Sequence, residues 1–173
     1  MMIRKAAEGD IEAVGKLYKD IHTAEEMGKQ TTGWVRGVYP VRATAEMAVK
    51  RKDLFVLEDD GSIRGAGIIN GRQDESYSRA QWQYPAADNQ VCVLHTLVIS
   101  PEHSGKGYGR AFLGFYEQYA KETGCLALRL DTNVINTAAR AFYAKHGYRE
   151  IGIVPTRFQG IPDVKLVLLE KHL

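Results

Sequence analysis

The run VCVLHTLVIS, Val91–Ser100, is strongly β-branched, and Pro101, glycines at 105, 107 and 109, and an amphipathic helical pattern follow it. A strand apolar at almost every position suits burial on both faces of a sheet. Pro101 ends it, because proline cannot donate to the ladder. Beyond the glycines, Phe112, Leu113, Phe115, Tyr116 and Tyr119 share one helical face, and Gly124 stands at the C′ position. Strand, glycine loop and helix in this order demand helix layered on sheet, so an α/β fold is expected.

The rest of the chain agrees with that class. Ile3–Ala7 reads as a short first strand. A helix follows with Ile11, Val14, Leu17, Tyr18 and Ile21 on its apolar face and Asp10 as its expected N-cap. Residues Thr23–Pro40 read as a glycine- and threonine-rich loop, and Thr44–Asp53 as a second short helix capped by Thr44. Leu54–Asn70 is a hairpin around Asp60-Gly61. Gly71–Gln90 is polar and long for a loop, hence functional or mobile. Cys125–Thr132 is a strand, Asn136–Tyr148 a helix capped by Asn136 and stopped at Gly147, and Arg149–Pro155 and Val164–Leu173 are two late strands. No repeat or low-complexity segment interrupts the series, and residues 1–173 are expected to form one domain.

The loop Ser100–Arg110 has the makings of an anion site. The first N–H groups of the following helix lack intrahelical acceptors, and the helix dipole favours negative charge there. Glycines allow close approach of the backbone, and Lys106 and Arg110 add positive charge. A Walker-type loop is excluded, since Lys106 is not followed by Ser or Thr. A dinucleotide fingerprint is partly mimicked by Gly105, Gly107 and Asp131, but Arg110 stands at its third glycine and SPEHS separates strand from glycines. A glycine-rich turn with no ligand is the remaining alternative. The net charge of +2 argues for neither a nucleic-acid nor a membrane surface, and MMIRKAAEGD lacks the apolar core of a secretory signal. A cytoplasmic protein with reduced Cys92 and Cys125 is expected.

LVISPEHSGKGYG, Leu97–Gly109, resembles the cofactor motif of the GNAT superfamily of N-acetyltransferases, [QR]-x-x-G-x-[GA] after L-x-V-x-P. Leu97, Ile99 and Pro101 fit the strand, Gly107 and Gly109 the glycines, and Ser104 replaces the usual Arg or Gln. A second family pattern, N-x-x-A-x-x-x-Y-x-x-x-G-[FY], recurs as Asn136, Ala139, Tyr143, Gly147 and Tyr148. The resemblance implies a mixed, twisted sheet with splayed central strands and acetyl-CoA as donor. It implies pantetheine on the backbone of Leu97, Val98 and Ile99, pyrophosphate on Ser104, Gly105, Lys106, Gly107, Tyr108, Gly109 and Arg110, and a cofactor contact from Asn136. It implies that Tyr143 protonates the leaving thiolate, although the same spacing also suits a core face with Ala139, Phe142 and His146. His95 stands near the position where many relatives carry a Glu base, and a strand histidine bonded to backbone is the alternative. Asp131 is a second base or an anchor for a substrate cation, and Trp34 and Tyr39, with Trp82 and Tyr84, are loop aromatics that serve an acceptor pocket or, as the alternative, local packing. His22, Glu25 and Glu26 read as a solvated helix end, and Val154–Val164 as a connection closing over the acceptor. The implied partner is a small-molecule or protein amine, with a homodimer left open. A coenzyme A-binding sensor without turnover is the rival reading.

Overall fold

The β-rich runs form seven strands: β1 (Met2–Lys5), β2 (Leu54–Asp59), β3 (Ser62–Asn70), β4 (Val91–Ile99), β5 (Ala127–Asn133), β6 (Arg149–Phe158) and β7 (Ile161–His172). The amphipathic runs form α1 (Ile11–Glu26), α2 (Arg42–Arg51), α3 (Tyr108–Glu122) and α4 (Thr137–Lys145). This computed structural model describes all of residues 1–173. The strands make one open sheet in the order β1-β2-β3-β4-β5-β7-β6, antiparallel throughout except for the central β4–β5 pair.

Two layers cover the sheet. On one face α3 buries Phe112, Leu113 and Tyr116 against Leu94, Leu128, Leu130 and Val167. On the other, α1 and α2 bury Val14, Leu17, Tyr18, Ala45 and Ala48 against Val56, Ala66, Ile68 and Val98. The rest of that face is covered by the 71–90 segment through Tyr77, which packs with Val91, Val93, Ala127 and Leu168. Burying aliphatic and aromatic side chains on both faces supplies the main stabilisation, at about 1.5–3 kcal/mol for each large side chain.

Several local expectations are corrected. β1 spans Met2–Lys5 and not Ile3–Ala7. Asp10 does occupy the N-cap position of α1, but its carboxylate accepts from Ala7 N–H and from Arg4 instead of from the helix. Thr44 lies inside α2 at its third position, where its hydroxyl accepts from Val41 N–H and closes the helix start from within. The last two strands run further than periodicity suggests, to Phe158 and from Ile161, so the connection is the Gln159-Gly160 turn alone. Gly160, at φ +86°, supplies the left-handed backbone that this tight turn requires. Cys92 and Cys125 are both free thiols. No helix is long and apolar enough to cross a membrane.

Candidate active site

The centre of the sheet opens because β4 and β5 part company. Their parallel pairing extends from Val91 and Ala127 only to Leu94 and Leu130, while β4 continues to Ile99 and β5 to Asn133. The break coincides with a bulge. On β3, Ala66 and Ile68 are two residues apart, but their β4 partners Val98 and His95 are three apart. The extra residue is accommodated where Thr96 adopts φ +51°, a conformation unusual for a β-branched residue. The inserted residue also reverses the alternation, so that Val98 packs under α1 on the same face as Ile68.

Beyond the split lies a groove of about 860 Å³ between β4, the glycine loop, α3 and α4. Gly105 and Gly107 adopt φ of +81° and +83°, and a Cβ on either would meet nothing within 4 Å, so the loop backbone is open to a ligand. The first bond of α3 runs from Ala111 N–H to the Gly107 carbonyl, which leaves the N–H groups of Tyr108, Gly109 and Arg110 without helical acceptors. Leu97, Val98, Ile99, Ser104, Gly105, Gly107, Tyr108, Gly109, Arg110 and Asn136 all line this groove. Lys106 does not; it is exposed outside the groove lining. The Tyr108 phenol is engaged by Asp59 at 2.7 Å, and Asn136 Oδ1 caps α4 through Ala139 N–H at 3.2 Å. His103 and Lys145 also line the groove without a signal in the sequence, and so does His146, which the helical spacing placed on a core face.

A narrow chamber of about 90 Å³ adjoins the groove, and Thr32, Trp34, Leu97, Asn136, Ala139 and Tyr143 belong to both. It brings together Tyr143, His95, Asp131, Trp34 and Tyr39, five residues from four separate segments. Tyr143 is 8% exposed and lines both cavities. Burial, and then the nearby Asp131 carboxylate, hold that phenol above its ordinary value. Trp34 and Phe158 meet the Tyr39 ring edge-on at 6.0 and 5.5 Å. The Tyr39 hydroxyl is bonded to Thr96 Oγ1.

Asp131 accepts a 2.8 Å hydrogen bond from the Tyr77 phenol. Burial pushes its carboxyl up to about 6, Tyr77 opposes the rise and Asp74 adds to it. His95 is set differently. Asn70 Oδ1 accepts from Arg72 N–H at 2.8 Å while its Nδ2 donates to Asp53 at 2.9 Å, which fixes the amide orientation. The same Oδ1 lies 3.1 Å from His95 Nε2, so Nε2 carries the proton of the neutral ring. Burial pushes His95 down to about 4, against the Arg72 carbonyl and the Asp53 and Asp74 carboxylates.

Tyr77 is the residue that sequence reasoning missed. The segment carrying it is fastened by Arg129, which pairs with buried Glu170 at 3.5 Å, donates to Gln73 at 2.6 Å and lies 4.1 Å above the Trp82 ring. Trp82 and Tyr84 therefore belong to this fastening and line none of the cavities described here, which is the local-packing alternative. The end of α1 is corrected too. Glu25 accepts from Thr32 N–H at 2.6 Å and Gly33 N–H at 2.8 Å, Glu26 pairs with Arg36, and buried His22 bonds the Pro40 carbonyl. All three tie down the loop that carries Trp34 and Tyr39.

A chain with split central strands, a glycine loop at a helix N-terminus and a tyrosine beside the split has the architecture of an acyl-CoA transferase. Residues 16–148 match the acetyltransferase (GNAT) family, and the chain belongs to that family. It is an acetyltransferase, and acetyl-CoA is the donor of this family. Streptothricin acetyltransferase of Streptomyces lavendulae is 26% identical over 169 residues, 91% of this chain and 86% of that protein. A streptothricin acetyltransferase of Escherichia coli is 26% identical over 125 residues, 70% of this chain and 68% of that one. Among solved structures, a GNAT-family acetyltransferase from Streptococcus agalactiae superposes with a TM-score of 0.81 at 21% identity, covering 99% of this chain and 95% of that one. The Salmonella typhimurium protein yncA, solved with its cofactor acetyl-CoA, gives 0.68 at 17% identity over 99% and 93% of the two chains.

Proposed function

We propose that this single-domain acetyltransferase transfers the acetyl group to a primary amine by direct attack of the amine on the thioester. The observation that carries the reading is the continuity of groove and chamber through Tyr143, with the loop amides at one end and Asp131 at the other. The loop amides and Arg110 hold the pyrophosphate, and the backbone of β4 beyond its bulge faces the pantetheine. The amine nitrogen adds to the thioester carbon, the C–S bond breaks, and Tyr143 gives its proton to the departing thiolate. The proton that the nitrogen loses on forming the amide returns to the Tyr143 phenolate, and the proton that an ammonium must shed before its nitrogen can attack goes to Asp131. Its carboxyl, held at about 6, is ionised near neutral pH yet basic enough to accept, whereas His95 at about 4 is a weak acceptor. His95 is assigned to orienting the acceptor. Cys92, buried away from both cavities and pushed up to about 12, offers no thiolate for an acyl-enzyme.

Calorimetric titration with acetyl-CoA, with NAD as control, is the direct test. Gly107→Trp, which forces a side chain onto a backbone at φ +83°, is expected to weaken binding at least tenfold. Tyr143→Phe is expected to keep acetyl-CoA affinity and to lose about 10²–10⁴ in kcat, read by thiol release. Streptothricin, for which two relatives are named, heads the acceptor screen. Absence of acetyl-CoA binding overturns the reading, and binding without thiol release for any amine leaves a coenzyme A sensor.

A further inference from the structure

The chamber beside Tyr143 is charged in one place only. Of the side chains lining it, Asp131 alone carries a full charge near neutral pH, and neither lysine nor arginine is among them. Tyr77 satisfies one lone pair of the carboxylate with a 2.8 Å bond. An ionised carboxylate in such surroundings is costly without a counter-charge, and no protein side chain in the chamber supplies one. The walls point the same way. Trp34, Tyr39 and Phe158 present a chain of edge-to-face aromatic rings, and Leu94, Val164 and Leu166 complete an apolar lining. Aromatic rings attract a cation and pack against methylene groups equally well. Size sets the third limit. A cavity of about 150 Å³ accepts a benzene ring, and this chamber measures about 90 Å³.

We propose that the acceptor enters this chamber as an unbranched primary alkylammonium arm, its nitrogen seated on Asp131 and its methylenes against Trp34, Tyr39 and Phe158. The inference rests on the transferase reading of the groove and adds to it the shape and charge of the acceptor. An arylamine fails twice, its ring needing more room than the chamber's volume offers and its nitrogen being uncharged at neutral pH. An amine on a fully branched carbon keeps the charge but has no methylene chain to lie against Trp34, Tyr39 and Phe158. The bulk of the acceptor stays outside, and a cavity of about 470 Å³ lies beyond Tyr39, His95, Thr96 and Phe158, the four residues it shares with the chamber.

The test is calorimetry at pH 8 on the protein saturated with coenzyme A, titrated in turn with n-butylamine, tert-butylamine and aniline. The expected result is binding of n-butylamine at least tenfold tighter than tert-butylamine, with no heat from aniline. Asp131→Asn is expected to weaken n-butylamine at least tenfold while coenzyme A affinity stays unchanged. Equal or tighter binding of tert-butylamine or aniline overturns the proposal, as does binding of none of the three or an unaltered affinity in Asp131→Asn. Failure of coenzyme A itself to bind removes the transferase reading and this proposal with it. Coenzyme A binding without discrimination among the amines removes the proposal alone.

Discussion

Asp131 sits among groups that cannot neutralise it: the phenols of Tyr77, Tyr39 and Tyr143, the neutral imidazole of His95 and the carboxylate of Asp74. Tyr77 is the one that favours the ionised form, because its O–H donates to the carboxylate. Tyr77→Phe is therefore expected to raise Asp131 above its value of about 6. The acid limb of the kcat/KM profile should move to higher pH while the plateau above pH 8 is retained; a uniform drop at every pH would mean a purely structural role. The same burial has a cost in stability. A carboxyl raised in the folded state contributes its stability below the unfolded value near ~3.9 and loses it as pH rises through the folded one. Asp131→Asn is thus expected to match the wild type in Tm near pH 3 and to exceed it by roughly 6–12 °C at pH 7.5, from a rise of about 2 units at about 1.4 kcal/mol each and ~2–4 °C per kcal/mol. A gap that stays constant with pH in thermal melts would refute the assignment. Asp131 was legible in the sequence because it closes LRLD near the end of a strand, and Tyr143 because the second family pattern carries it. Tyr77 was not, because nothing in a polar stretch reveals that Arg129 and Glu170, about fifty and ninety positions later, pull it into the core.

The elements around the site were legible as types and less so at their ends. Strand β4, helix α3 and the glycine loop follow from β-branching, helical periodicity and φ freedom, all local properties. The bulge at Thr96 is not local, because it depends on the register between β3 and β4, and a sequence reading reaches it only through family resemblance. Thr44 and the end of α1 were misread for a related reason. A polar residue near a helix end is a cap, a solvated charge or a fastener according to where the next segment runs. Glu25 is a fastener, holding Thr32 and Gly33 through three hydrogen bonds and thereby placing Trp34 at the chamber. Glu25→Ala is expected to raise KM for the amine about tenfold, to leave acetyl-CoA affinity unchanged and to move Tm little. Steady-state kinetics with each substrate varied in turn checks this, and an equal loss toward both substrates would place the effect elsewhere.

For the molecule as a whole, the split leaves the central sheet with unpaired backbone that the proposed donor site would use. β4 leaves its partner β5 at Leu94 and ends at a loop whose helical N–H groups lack acceptors, so part of the central backbone pairing is left to whatever enters. A ligand that binds only the folded state stabilises it by RT ln(1 + [L]/Kd), about 2.7 kcal/mol at a hundredfold excess over Kd. For a chain of this length that corresponds to a rise in Tm of roughly 5–10 °C. The location of the effect is more telling than its size. Amide hydrogen exchange is expected to slow on adding acetyl-CoA at Leu97–Ile99 and Ser104–Arg110, the two backbone stretches at the groove. It should stay unchanged across Glu75–Gln90, which is held by the Arg129–Glu170 pair on the other side of the sheet and not by the groove. Slowing spread evenly over all strands would report only global stabilisation, because closed segments gain the same free energy from any ligand. Protection confined to the two groove stretches means that the ligand takes the place of the missing strand partner, and that the split in the sheet is the binding device itself.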